Sequence, residues 1–339
     1  MNFSHGGDIF RFAKELNCDP REVIDLSSSI NFIKPKVEID LNSIDVSFYP
    51  NYQELKAIIA ENYSIDLDSI ELFNGATSAI YSLLRYLRDS TNQINLYAPI
   101  YLEYKRCAIL NSYALRLINR FDGLDRSIDR GSIVIFTNPS TPDGRFCNLE
   151  PLIDRWMDRG VYIIIDESFL EFTEFRSATR FLKEYKRVYI IKSITKFYAS
   201  AGVRVGAIIS NNEDILNLSR REPIWKISQF DLEYVKSILR DEEFPKRARE
   251  GNLKNRLKLE RVLNRFDFIE KIYSSNVNFL LIKLKNIRAY ELQEALKPYK
   301  ILIRDCSNFD FLDSSYIRVA VKSQEAIKKL EEALCKIFS

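Results

Sequence analysis

Ser193, Thr195 and Lys196 stand together in Lys192-Ser193-Ile194-Thr195-Lys196, and Arg204 and Gly206 follow closely. A hydroxyl, an amine and a guanidinium in one short segment suit a phosphorylated aldehyde cofactor. The amine condenses with the aldehyde, while the hydroxyl and the planar guanidinium hold the phosphate. A solvated basic loop is the alternative reading of the same residues. Apolar runs lie on both sides, Val188 to Ile191 and Val205 to Ile209, and read as buried strands. The segment therefore sits on a connection that a rigid sheet can aim.

Other candidates stand at the ends of similar runs. Ile70 to Phe73 leads into Asn74-Gly75-Ala76-Thr77-Ser78 and then a helix with Ile80, Leu83, Leu84 and Leu87 on one face. Small residues at a helix start leave backbone N–H groups free for an anion. Ile94 to Tyr97 is followed by Tyr101, which either stacks on a flat ring or packs in the core. Val161 to Ile165 ends in Asp166. An acid there stands at the strand edge where α/β sheets bind ligands, or else caps a turn. Histidine occurs once, at His5, so acid–base work falls mainly to lysine, tyrosine and carboxylates.

Around these residues the chain alternates short strands and helices from Ile70 to Ile209. That pattern predicts an α/β domain with a mostly parallel sheet flanked by helices. Ile133 to Phe136 is a further strand, running into the turn Thr137-Asn138-Pro139-Ser140-Thr141-Pro142-Asp143-Gly144. Earlier pieces are a helix after Asp8, a short strand over Val23 to Leu26, and a helix from Tyr52 to about Asn62 that Asn51 caps. Past Pro223 the texture changes. Phe230 to Arg265 is charged and helical; Asn276 to Lys283, Ile301 to Arg304 and Tyr316 to Val321 read as strands, with helices over Arg288–Leu296 and Gln324–Phe338. The expected organisation is an arm over 1–35 packing on the small domain, a large domain over 36–225, and a smaller α+β domain over 226–339.

The 339 residues, 46% of them apolar, are enough for a sizeable core. The 50 basic and 47 acidic residues are interspersed, which gives no footprint for nucleic acid or an anionic membrane. No signal peptide and no run long enough to span a bilayer is apparent. Five scattered cysteines without CxxC spacing read as free thiols, and the expected location is cytoplasmic. Neither G-x-G-x-x-G nor a P-loop occurs.

The ordered set resembles the aminotransferase-like fold (fold type I) of pyridoxal-phosphate enzymes over nearly the whole chain. The resemblance implies pyridoxal 5'-phosphate as cofactor. It makes Lys196 the lysine that binds the aldehyde, Asp166 the partner of the ring nitrogen, and Tyr101 the aromatic stacked on the ring. Gly75, Ala76, Thr77, Ser193 and Arg204 hold the phosphate. Arg318, in Ile317-Arg318-Val319-Ala320, matches the arginine for the substrate carboxylate. Tyr49, before Pro50, matches a tyrosine lent to the neighbour's cofactor, which implies a homodimer with shared active sites.

Within that fold, His5-Gly6-Gly7-Asp8, Ser29 to Asn31, Asp166 to Phe172 and Leu302 to Phe309 look like the threonine-phosphate decarboxylase family. Its reaction turns a small phosphorylated amino acid, threonine phosphate or serine phosphate, into an amino alcohol phosphate for the cobalamin linker. Histidinol-phosphate aminotransferase is the related alternative, and a non-catalytic binding protein on the same fold is a third. The resemblance adds His5, Asn31 and Arg304 to Arg318 as substrate-binding candidates. Two departures stand out. Thr141 occupies the place of an asparagine that donates to the cofactor's phenolic oxygen, and Phe169 stands where the aminotransferases commonly have tyrosine. Thr141 is expected to replace the asparagine directly or through water.

Overall fold

The structure, a computed structural model, describes residues 6–338. Asp8 caps α1 (Ile9–Glu15) by accepting from the Arg11 N–H, and β1 (Ile24–Asp25) follows. After α2 (Gln53–Tyr63) comes an alternation of strands and helices. It comprises β2 (Ile70–Phe73), α3 (Gly75–Leu87), β3 (Gln93–Ala98), α4 (Leu102–Leu110), β4 (Ala114–Asn119), β5 (Ile133–Thr137), α5 (Glu150–Asp158), β6 (Tyr162–Asp166), β7 (Val188–Ser193), α6 (Ile194–Phe197) and β8 (Gly206–Ile209). Three helices then run in succession: α7 (Asn212–Ser219), α8 (Gln229–Leu239) and α9 (Phe244–Leu263). The C-terminal elements are β9 (Ile269–Ile272), β10 (Phe279–Leu284), α10 (Ala289–Leu296), β11 (Ile301–Leu302), β12 (Arg304–Asp305), β13 (Tyr316–Ala320) and α11 (Gln324–Phe338).

Seven strands form one sheet in the order β2-β8-β7-β6-β5-β3-β4, with β8 alone antiparallel to its neighbours. Its central strands are apolar on both faces because both are covered, one by α2, α5 and α8, the other by α3, α4 and α7. Each fully buried Ile or Val there contributes about 1.5–3 kcal/mol before chain entropy is subtracted. A second sheet, β12-β13-β10-β9, is antiparallel throughout and packs on α9, α10 and α11. No described helix is long and apolar enough to cross a membrane.

The structure departs from the sequence reading at four places. The edge strand β4 was not anticipated, because all its residues but Ile118 are exposed or half-buried and it carries no continuous apolar run. Nor was β9, a short edge strand with two exposed charged residues at its centre. Ile301 to Arg304 is not one strand: it breaks at Ile303, so that β11 pairs with β1 and β12 with β13. Finally, α8 does not go with the C-terminal unit expected from residue 226. Ile227, Leu232, Val235 and Ile238 fill the core beneath the large sheet with Leu55 and Ile59, so α8 packs with the large sheet.

Two glycines set how close α3 lies to the sheet. Gly75 has φ +78°, a conformation side chains disfavour, and a Cβ there would lie 2.5 Å from Arg204 Nη2. At Gly206 a Cβ would collide with the backbone of Ala76. The expected outcome for Gly206→Ala is a loss of about 1–3 kcal/mol in urea unfolding, as overpacking against immovable backbone gives. Gly202→Ala, where nothing stands within 4 Å, should stay within about 0.5 kcal/mol of the parent.

Candidate active site

A cavity of about 340 Å³ opens at the carboxyl ends of β5, β6 and β7, where the large sheet meets the second one. Its walls include Ala76, Thr77, Tyr101, Thr141, Asp166, Ser193, Lys196, Arg204, Arg304 and Arg318. Residues that lie far apart in the chain meet there because parallel strands end on one edge.

On β6 and β7 the pleat sorts side chains by parity. Asp166, Ser168 and Ser193 face the cavity, while Glu167 and Lys192 face the opposite side and pair at 2.7 Å, both nearly inaccessible. Glu167 also accepts from Ser177 Oγ and the Ala178 N–H, so this buried pair has further hydrogen bonds. Asp166 accepts from the Ser168 N–H at 2.8 Å through Oδ1 and from the Tyr104 hydroxyl at 2.9 Å through Oδ2. Burial, with the Asp166 charge beside it, holds the Tyr104 phenol well above its ordinary pKa, so it remains a donor.

Lys196 lies in the short helix α6, after β7. Burial drives its amine below the ordinary lysine pKa; Asp166 opposes that shift, and Arg204 and Arg318 reinforce it. Its Nζ lies 5.1 Å from the ring centre of Phe169. Phe197, its neighbour in sequence, is buried in an aromatic cluster with Phe172, Phe244 and Phe279, which fixes the turn from below.

Arg204 and the Gly75-Ala76-Thr77 turn face each other at the N-terminus of the 13-residue helix α3. Ser193 Oγ lies 2.9 Å from Thr195 Oγ1, and Thr77 Oγ1 is 3.2 Å from the Tyr101 hydroxyl. Hydroxyls, a guanidinium and a helix start converging on one end of the cavity suit a phosphate. A carboxylate at Asp166 and a buried amine at Lys196 suit a ring nitrogen and an aldehyde. The donor set fits pyridoxal phosphate.

Arg304 and Arg318 sit directly opposite each other on β12 and β13. Arg304 donates to Asn308 Oδ1 at 2.7 Å. Arg318 donates to Thr141 Oγ1 at 3.2 Å and to the Ser27 carbonyl at 2.9 Å, while its buried Nε has no hydrogen-bond partner among the described residues. Burial, and secondarily Arg304, lowers the Arg318 pKa to about 10. Thr141 thus accepts from Arg318 and keeps its own proton for another acceptor.

Three expected residues behave differently. Asn31 is not on the cavity wall. Its amide donates to the Phe197 carbonyl at 2.8 Å, its oxygen accepts from Asn252, and its N–H donates to the Lys196 carbonyl, so it clamps the Lys196 turn from behind. Tyr49 lies outside this cavity, 73% exposed and stacked on Trp225 at 3.9 Å. His5 lies outside the described residues, but Gly6 lines the cavity and the Gly7 N–H donates to Ser27 Oγ. Tyr104 was missed as a site residue; one helical turn after Tyr101, it had a signal in its spacing. Phe309 was missed as a site residue as well, although it ends the Leu302 to Phe309 segment that carried the resemblance.

The sequence pattern of the class I and II aminotransferases matches residues 29–334. The chain belongs to that family. It is a pyridoxal-phosphate-dependent enzyme of the aminotransferase fold type I. The bifunctional adenosylcobalamin biosynthesis protein CobDQ of Leptospira interrogans is 30% identical, over 98% of this chain and 41% of that protein, so the chain spans under half of that relative. The threonine-phosphate decarboxylase of Salmonella typhimurium is 25% identical, over 100% of this chain and 98% of that protein. Among solved structures, the histidinol-phosphate aminotransferase from Clostridium acetobutylicum superposes with a TM-score of 0.83 at 28% identity, covering 92% of this chain and 98% of that one.

The lowered Lys196 pKa has a stability consequence. The unfolded chain binds more protons than the folded one between the folded pKa and the ordinary value of about 10.4. Burying this amine therefore costs stability at neutral pH, and that cost fades as pH rises towards the ordinary value. In urea unfolding without cofactor, Lys196→Met is expected to be more stable than the parent at pH 7, with the gap narrowing towards pH 10. A gap independent of pH would show that Lys196 does not titrate this way.

Proposed function

We propose that this enzyme decarboxylates a small phosphorylated amino acid, threonine phosphate or serine phosphate, to an amino alcohol phosphate of the kind used in the cobalamin linker. The observation that carries the reading is the cross-strand pair Arg304 and Arg318 in the cavity that holds Lys196. Two guanidiniums directly opposite each other repel. A ligand with two anionic groups, a carboxylate and a phosphate monoester, relieves that repulsion and meets the Nε of Arg318, which is unpartnered among the described residues. The cavity's volume, about 340 Å³, is near the small end of ligand sites and must take cofactor and substrate together.

Bound there, pyridoxal phosphate supplies an aldehyde for the substrate amine and a ring that accepts electrons from the breaking bond. Asp166 holds the proton on the ring nitrogen. Arg318 and Arg304 fix the substrate at both ends, which decides which bond at its α-carbon is set to break. Lys196 Nζ, its pKa lowered, takes up a proton from the substrate ammonium as the free amine and, as the ammonium, gives it to that carbon after carbon dioxide leaves. Phe169 brings no hydroxyl towards the cofactor, and the one at Thr141 is shared with Arg318.

The second reading is amino transfer from histidinol phosphate, favoured by the likeness to the Clostridium acetobutylicum structure. The deciding measurement offers threonine phosphate and serine phosphate to cofactor-loaded protein without any 2-oxo acid. Release of carbon dioxide with the amine retained is expected. The rate ratio between the two should be modest, since one methyl is worth about 1–3 kcal/mol. No release, but amino transfer from histidinol phosphate once 2-oxoglutarate is added, would sink the first reading.

The proposed assembly is a homodimer that shares its active sites. Phe48, Tyr49, Ile224 and Trp225 are exposed large apolar residues, with Tyr49 stacked on Trp225, and a second copy would cover them. Sedimentation at dimer mass is expected, with Trp225→Asp shifting it towards monomer; a fully active monomer would remove this part of the proposal.

A further inference from the structure

The turn joining β12 to β13 reaches back over the cavity. It closes on itself through the Phe309 N–H to the Cys306 carbonyl, and Asn308 accepts from Arg304 at 2.7 Å. Phe309 is buried, lines the cavity, and has its ring centre 5.3 Å from the Arg304 guanidinium carbon. The next residue, Asp310, forms an ion pair with Lys105 of α4, and both side chains are about four-fifths buried. That helix also carries Leu102 on the cavity wall and Tyr104 on Asp166. One ion pair thus ties the wall that carries the cofactor-side residues to the turn that carries Phe309.

We propose that Phe309 sets the size of the substrate this enzyme accepts, and that the Lys105–Asp310 ion pair is the strap that positions it. The chemical class this rests on, a small phosphorylated amino acid, is that of the proposed function. With the strap fastened, the ring takes up space beside Arg304, leaving room for a short side chain and none for an imidazole. A partly buried ion pair suits such a strap because it has a defined geometry and breaks as a unit.

The test is a spectral titration of the cofactor-loaded enzyme with O-phosphoserine, O-phosphothreonine and histidinol phosphate. Each carries an amine that alters the cofactor's absorbance whichever reaction follows. Failure of the decarboxylase reading therefore shows in the carbon dioxide assay, and failure of the strap shows here. Phe309→Ala is expected to weaken the two small ligands and tighten histidinol phosphate. Lys105→Met and Asp310→Asn should each weaken the small ligands about 3–10-fold, near 1 kcal/mol. The double variant should be no weaker than either single one, since the pair acts as one element. Lys105→Arg should restore binding, which separates positioning from general loss of fold. Equal effects of Phe309→Ala on all three ligands, or unchanged affinities in both ion-pair variants, would overturn the proposal.

Discussion

The constraint on which this site depends is an excess of positive charge in a small, closed space. Among the described residues lining the cavity are Lys196, Arg204, Arg304 and Arg318, against one carboxylate, Asp166. Burial makes the charges of Lys196, Arg304 and Arg318 costly, and repulsion among the cations adds to the cost. The structure answers in two ways. Burial and the neighbouring arginines lower the Lys196 pKa, so its amine gives up a proton more readily. The arginines stand at the two ends of the cavity, so that anionic groups bound there would offset their charge.

Holding that arrangement takes rigidity on every side. Alternation along β6 and β7 puts Asp166 and Ser193 into the cavity and sends Glu167 and Lys192 behind it, where they form a buried ion pair that ties the two strand ends together. The turn after β7 rests on the Phe172, Phe197, Phe244 and Phe279 cluster and is gripped by Asn31. The same cluster joins the two sheets, because Phe279 belongs to β10 and packs edge-on against Phe169. Substrate-side and cofactor-side residues are therefore set by one packed unit.

The N-terminal segment takes part in the same unit. β1 pairs with β11, and the Ser27 carbonyl just beyond it accepts from Arg318. Asp25, deep in this region, accepts from Ser27 and Ser28, and those hydrogen bonds outweigh burial and hold its pKa below the ordinary range. The arm is thus a wall of the site.

The sequence alone determined the alternation of elements in the large sheet and the cofactor end of the site. Those features are local. Apolar runs mark buried strands, and Gly75, Asp166 and Lys196 each stand at a strand end where position itself carries the chemistry. Tertiary structure decided what depends on contacts between distant segments. The edge strands β4 and β9 lack a continuous apolar run, and α8 joined the larger core because its apolar face fits there. Asn31 proved to be a clamp, since the Phe197 carbonyl and Asn252 reach its amide first. The opposition of Arg304 and Arg318, and the closeness of Phe309 to both cavity and strap, arise from strand register, which is set only when the second sheet assembles against α9 and the large domain.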